Sequence, residues 1–211
     1  PLLAGIGLDE ISVSAPAIAG LKAELSRLSL SDCRELLAAA LQCISASEVA
    51  VLLEKFSAQH SAPVFSPELI IADADATTKE EAIKRAVDLL YIHDRTEQPR
   101  VLEEAVWERE AAYSTGFGHG FAIPHCKSGA IQANSLALLK LRKPISWNSL
   151  DGGPVRVVVF LAIRDCDGAT EHMKLISKLA RQIMHEEFRD AIEREKNPDA
   201  LCALLRSKME C

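Results

Sequence analysis

Apolar residues recur three and four apart through most of the first 57 positions, each run beginning beside a proline or serine able to open a helix. Pro16 precedes Ile18, Leu21, Leu25 and Leu28; Ser31 precedes Leu37, Ala40, Leu41 and Ile44; Ser47 precedes Val49, Leu52, Leu53 and Phe56. The spacing predicts three helices, with Pro16 at a first helical position and Ser31 and Ser47 as N-caps. Ile11-Ser12-Val13-Ser14 alternates as a strand does. Three apolar faces and one strand cannot easily bury one another in so short a piece. Residues 1–57 therefore read as the end of a larger domain. The pattern stops where Ser57-Ala58-Gln59-His60-Ser61-Ala62-Pro63 turns small, polar and proline-terminated. We assign residues 58–66 to a linker, with His60 on its solvated surface.

From residue 67 short apolar runs alternate with helical stripes. Glu68-Leu69-Ile70-Ile71 predicts a strand. Thr78 and Glu81 form a capping box ahead of the stripe Ala82, Ile83, Ala86, Val87 and Leu90, and His93 falls at that helix's C-terminal dipole. Pro99 opens a helix whose inward positions are Val101, Leu102, Ala105 and Val106. Phe121–Ile123, Ser135–Leu139 and Val155–Ile163 read as strands, with turn signals at Lys143-Pro144, Asn148 and Asp151-Gly152-Gly153-Pro154 between the last two. The Val155 run is apolar enough to need cover on both faces. A helix from Thr170 carries His172, Ile176, Leu179 and Ile183 on one face. His185 and Glu186-Glu187 look like a solvated helix start, and Asn197-Pro198 precedes a last helix from Asp199 to about Lys208. The fold class expected for residues 67–211 is α/β, a three-layer α/β/α sandwich around a mixed sheet.

Composition narrows the function. A chain of 211 residues holds one sizeable core plus a smaller piece. A net charge of −6 without a basic run argues against a nucleic-acid partner. No apolar stretch approaches the roughly 20 residues that span a bilayer, and no signal segment opens the chain. Six cysteines without a C-x-x-C pair suit a reducing cytoplasm better than a disulfide framework. The chain starts at Pro1 with no initiator methionine and reads as a fragment.

The chemistry gathers at Gly116-Phe117-Gly118-His119-Gly120-Phe121-Ala122-Ile123-Pro124-His125-Cys126-Lys127. Alternate glycines let a backbone curl and turn its N–H groups toward an anion. Pro124 fixes the direction in which His125 leaves the preceding strand. Arg109 lies seven residues after Leu102 and three after Val106, so it falls on the inward helix face; the plain reading pairs it with Glu108 or Glu110, and the functional one aims it at an anion beside His125. His172 stands in a first helical turn, where free N–H groups and the positive dipole end favour phosphate. A neutral imidazole in a fixed tautomer, with donors for three equatorial oxygens, is what phosphoryl transfer through histidine requires. His119, His125, Cys126 and His172 are residue types that suit zinc, but their spacing fits no common zinc pattern. The glycines precede a strand instead of following one, which disfavours a dinucleotide site. No metal and no cofactor are expected for this domain.

The stretch T-G-x-G-x-G-x-A-I-P-H, Thr115 to His125, resembles the active-site motif of the fructose–mannitol type of enzyme IIA of the sugar phosphotransferase system. E-R-E (Glu108 to Glu110) and H-x-K-L-I-S-x-L-A (His172 to Ala180) are similar to that family's other two signatures, in the same order. The resemblance implies that His125 takes a phosphoryl group from phospho-HPr and hands it to a cysteine of a IIB domain. It also implies that His172 and Arg109 support the phosphohistidine, with Thr115, Gly118 and Gly120 as binding positions in the loop. Membrane contact comes only through the permease, and a fructose-like sugar is the expected cargo. His119 and Cys126 depart from the family's usual residues and are read as neighbours of the site.

Residues 1–57 resemble the extreme C-terminus of Enzyme I, which closes a phosphoenolpyruvate-binding (β/α)8 barrel. That family's catalytic cysteine motif lies upstream of the matching segment, so phosphoenolpyruvate turnover is not expected here. An Enzyme I tail ahead of a IIA domain resembles the multiphosphoryl transfer family, where both share one chain. A regulatory module of the nitrogen type is the alternative. The uncovered helical faces of residues 1–57 could pair between copies, giving a homo-oligomer, or dock on the IIA domain.

Overall fold

The computed structural model describes residues 1–15, 18–26, 28–60, 62–165 and 169–209; the side chains of 19, 20, 23, 24, 58, 59 and 169–172 are not among what it describes. The chain forms two compact units, Pro1–Ala62 and Pro63–Cys211. Among the described residues no helix is long and apolar enough to cross a membrane.

The first unit holds α1 (Leu2–Ile6), α2 (Ile18–Ser26), α3 (Leu30–Ala40) and α4 (Ala46–His60). Residues 11–14 form no strand. An alternating segment needs a neighbour to satisfy its ladder, and the described residues of this unit offer none. Ser29, not Ser31, caps α3: its Oγ accepts the Asp32 N–H at 3.1 Å. Likewise Ser45, not Ser47, receives the Glu48 N–H at 3.2 Å. The buried residues of α3 are Cys33 and Leu36, whereas Leu41 and Ile44 are exposed. Cys33, Leu36 and Phe56 make a small core, against which Leu2, Ala4, Leu28, Leu52 and Leu53 pack.

Helix α4 continues into the segment that looked like linker. His60 is not a solvated loop residue. Its Nδ1 lies 2.9 Å from the Phe56 carbonyl oxygen, its Nε2 lies 3.1 Å from Asp32 Oδ2, and its ring stacks on Phe56. Two acceptors facing two ring nitrogens favour imidazolium, so the Phe56 carbonyl and then Asp32 raise the His60 pKa.

The second unit runs β1 (Phe65–Ala74), α5 (Lys79–Ile92), α6 (Pro99–Ala112), β2 (Gly116–Gly118), β3 (Phe121–Ala122), β4 (His125–Ser128), β5 (Ser135–Ile145), β6 (Val155–Arg164), α7 (Ala169–Met184), α8 (Glu186–Arg194) and α9 (Pro198–Met209). The sheet order is β1-β5-β6-β3-β2, with β4 also on β6. β5 and β6 are antiparallel, as are β2 and β3; the other pairings are parallel, so the sheet is mixed. Strand alternation divides the apolar residues between two faces. Leu69, Leu139, Val158 and Phe160 join α5 and α6 through Ile83, Leu90, Leu102 and Val106. Ile70, Leu138, Val159 and Leu161 join α7, α8 and α9 through Leu179, Ile192 and Leu205. Those are three layers, α/β/α.

Local signals hold best where a cap fixes them. The Thr78 Oγ1 accepts the Glu81 N–H at 3.2 Å, and the Glu81 carboxylate reaches Thr77 N at 2.7 Å, one residue ahead of the cap. All five predicted stripe residues of α5 are buried. In α6 the inward row is Leu102, Val106 and Glu110, while Val101 is exposed. β5 passes through Lys143-Pro144 to Ile145 instead of turning there, with an irregular register after Lys140 and Pro144 exposed.

Candidate functional site

The glycine stretch folds as a hairpin. β2 and β3 pair antiparallel across His119-Gly120, whose φ values are 54° and 81°. Positive φ at both central residues is what a two-residue hairpin turn needs. Gly118 (φ 105°) and Gly120 thus serve the turn, where alternate glycines suggested a nest of donors. The tip is pinned from two sides. Asp151 accepts the His119 N–H at 2.8 Å and the Gly153 N–H at 3.0 Å, which hold its carboxyl below the usual range. The Gly120 carbonyl accepts N–H groups of Arg156 and Val157 at 2.7 and 3.0 Å.

β3 and β4 lie along β6 as one strand interrupted at Ile123-Pro124, with Phe121 opposite Val157 and His125 opposite Leu161. His125 therefore begins β4. Its Nδ1–H donates to the Ile123 carbonyl at 2.8 Å, and its Nε2 accepts the Arg109 Nε–H at 3.0 Å. This geometry selects the Nδ1–H tautomer and leaves the Nε2 lone pair directed at the guanidinium. Arg109, in the last turn of α6, is steadied by an Nη1 bond to the Tyr113 carbonyl at 2.9 Å. Arg109, half-buried beside the inward row of Leu102, Val106 and Glu110, reaches the histidine. A phosphoryl group on Nε2 would meet a delocalised cation whose planar fork suits phosphate oxygens.

His172 falls in α7, and its side chain lies outside the described residues. Cys126 points away from His125 by strand alternation and joins the apolar cluster under α5 and α6. Burial, with a smaller push from Asp165, raises its thiol to about 12. Among the described residues no group of three or more His, Cys, Asp or Glu could hold a metal ion.

Thr115 has no donor left for an anion. Its N–H donates to Glu110 Oε2 at 3.0 Å and its Oγ1–H donates to the same oxygen. Glu110 also accepts from Lys79 Nζ at 2.7 Å, and the Ser114 hydroxyl lies 3.3 Å from it while giving its proton to the Trp147 carbonyl at 2.9 Å. The Thr115 Oγ1 in turn accepts the Trp147 Nε1–H at 3.2 Å, while Lys79 sits over the Trp147 ring. Sequence reasoning missed this buried network. One signal was present, since Glu110 follows Val106 by four residues on the apolar row. Lys79 and Trp147 are brought in by tertiary packing and gave none.

An α/β sandwich presenting a tautomer-fixed imidazole against an arginine has the equipment of a histidine phosphoryl carrier. The chain belongs to the family "Phosphoenolpyruvate-dependent sugar phosphotransferase system, EIIA 2", whose model matches residues 63–208. It is a phosphoryl-transfer component of that system. Multiphosphoryl transfer protein 2 of Escherichia coli K12 is 39% identical over 211 residues, covering 100% of this chain and 25% of the relative. The chain thus spans about a quarter of that relative's length. The fructose-specific EIIA component of Haloferax volcanii is 30% identical over 125 residues, 59% of this chain and 80% of the relative. Among solved structures, the nitrogen regulatory protein IIA-Ntr of Neisseria meningitidis superposes with a TM-score of 0.63 at 25% identity, covering 67% of this chain and 96% of that one. IIA mannitol of Escherichia coli in complex with phosphorylated IIB gives a TM-score of 0.58 at 22% identity, covering 67% and 96%; that likeness speaks for the fold.

Proposed function

We propose that His125 Nε2 accepts a phosphoryl group from phospho-HPr and passes it to a cysteine of a IIB domain during sugar uptake in the cytoplasm. In the first step the Nε2 lone pair forms the new N–P bond as the donor's N–P bond breaks and the donor imidazole recovers its electron pair. In the second, a IIB thiolate forms an S–P bond while the His125 N–P bond breaks. Arg109 neutralises charge on the equatorial oxygens, and by resemblance His172 does the same from α7. The observation that carries this reading is the pair of contacts on His125, Nδ1–H to the Ile123 carbonyl and Nε2 to Arg109. The complex of mannitol IIA with phosphorylated IIB supports the choice of acceptor. The fructose-specific relative favours a fructose-like sugar.

Similarity to the multiphosphoryl transfer protein runs through residues 1–62 as well, which supports reading that unit as the C-terminal piece of an Enzyme I barrel. The likeness to the nitrogen regulatory IIA gives a second reading, a phosphorylation-dependent regulatory module. Onward transfer to a fructose-type IIB separates the two.

The test is incubation with phosphoenolpyruvate, Enzyme I and HPr, then mapping of acid-labile phosphate. His125→Ala takes up none while keeping its circular dichroism spectrum; labelling that persists rejects the assignment. Arg109→Ala still accepts phosphate, slower by about 100-fold or more.

A further inference from the structure

Two of the contacts on His125 trace back to one buried carboxylate. Glu110 and Lys79 have side chains only 4% and 16% exposed, and they meet at 2.7 Å. From Glu110 one route runs through the chain itself to Arg109, whose Nε–H meets His125 Nε2. A second route runs through Thr115. Glu110 takes both donors of that residue; the Thr115 carbonyl accepts the Ile123 N–H at 2.9 Å; the Ile123 carbonyl accepts the His125 Nδ1–H. Both ring nitrogens are therefore referenced to the same anchor. The anchor is itself fixed to α5 by Lys79 and to the loop before β6 by Trp147 and by Ser114, which donates to the Trp147 carbonyl at 2.9 Å.

We propose that Glu110, neutralised by Lys79, is a positioning residue that sets the tautomer of His125 and the aim of Arg109. A buried charge costs less when paired, and removing either member alone leaves the other unpaired. Placement of the pair between the end of α6 and the start of the hairpin assigns it a task besides stability. It keeps the Ile123 carbonyl at the distance that selects Nδ1–H, so Nε2 stays unprotonated and nucleophilic. The inference rests on His125 being the phosphoryl acceptor.

The experiment uses the full chain with 15N-labelled histidine. Tautomer populations of His125 are read from its ring nitrogen shifts without any phosphodonor, and phosphoryl uptake from phospho-HPr is timed separately. In folded Glu110→Gln and Thr115→Val proteins, the Nδ1–H tautomer gives way to a mixture. Uptake slows by about tenfold, and adding Arg109→Ala slows Glu110→Gln by less than it slows the parent. If Glu110→Gln does not fold, Thr115→Val, which keeps the volume and removes the hydroxyl, carries the same two readouts. A folded Thr115→Val or Glu110→Gln protein with the parent's tautomer spectrum and rate overturns the proposal. Should the parent chain take up no phosphate while the variants still change tautomer, the carrier assignment fails, and of the inference only the control of the His125 tautomer by Glu110 survives.

Discussion

His125 and Cys126 are adjacent in β4, and strand alternation gives them opposite chemistry. The imidazole stays half-buried with both nitrogens engaged, while the thiol enters an apolar cluster. A thiol pushed to about 12 holds on the order of one part in ten thousand as thiolate near pH 8. Cys126 therefore resists alkylation in the native chain. Iodoacetamide at that pH modifies the half-buried Cys43 well before it; mass spectrometry showing equal rates would contradict the burial. The thiol beside His125, conspicuous in sequence, is buried away from the imidazole among apolar side chains. Glu110 is the reverse case, assigned no role from sequence and central to the buried network of Lys79, Thr115 and Trp147.

At the scale of elements, the β2–β3 hairpin depends on close backbone approach. A Cβ built on Gly116 would fall 2.7 Å from the Ser149 Cα, and the Gly116 carbonyl accepts the Leu150 N–H at 3.1 Å. Backbone cannot yield as a flexible side chain does, so Gly116→Ala destabilises by about 1–3 kcal/mol. An unchanged urea midpoint and slope would refute that. Elements set by short-range signals were legible: the Thr78 cap, the α5 stripe and the fully covered β6 follow from propensity and spacing. The hairpin was not. Its alternate glycines suit a donor nest and a primed turn equally, and pairing with β6 at Val157 and Val158 decided for the turn. The last turn of α6 was half legible, because the apolar row places both Arg109 and Glu110 near the inside without saying which is buried.

For the molecule as a whole, the two units carry separate cores and differ in what holds them. The second has two large apolar clusters on either side of a sheet. Among the described residues the first has a core of Cys33, Leu36 and Phe56, and Asp32 and His60 tie α3 to α4. Its hydrogen bond to His60 lowers the Asp32 pKa from 3.8. The His60 value is raised from 6.5 by the Phe56 carbonyl first and Asp32 second. A raised histidine stabilises fully below its unfolded value and loses that contribution as pH rises through the folded one. A depressed aspartate stabilises above its unfolded value and loses it on acidification through the folded one. The pair is therefore at full strength between about pH 4 and 6.5. Hydrogen-exchange protection factors of α3 and α4 are expected to be higher near pH 5.5 than near pH 8, with no parallel change in β6. Asp32→Asn removes most of that difference, and equal protection at both pH values in the parent chain would sink it.

The sequence alone determined what periodicity, caps and fixed dihedrals carry: an α/β sandwich in the second half, helices in the first, and a histidine delivered by proline beside an inward arginine. These are local quantities, set within a few residues by spacing and by the φ of Pro124. Only the tertiary structure decided which strands pair with β6, that Glu110 meets Lys79 and Thr115 meets Trp147, and that His60 finds Asp32. Those contacts join residues about 30 positions apart through hydrogen bonds whose partners no local pattern names.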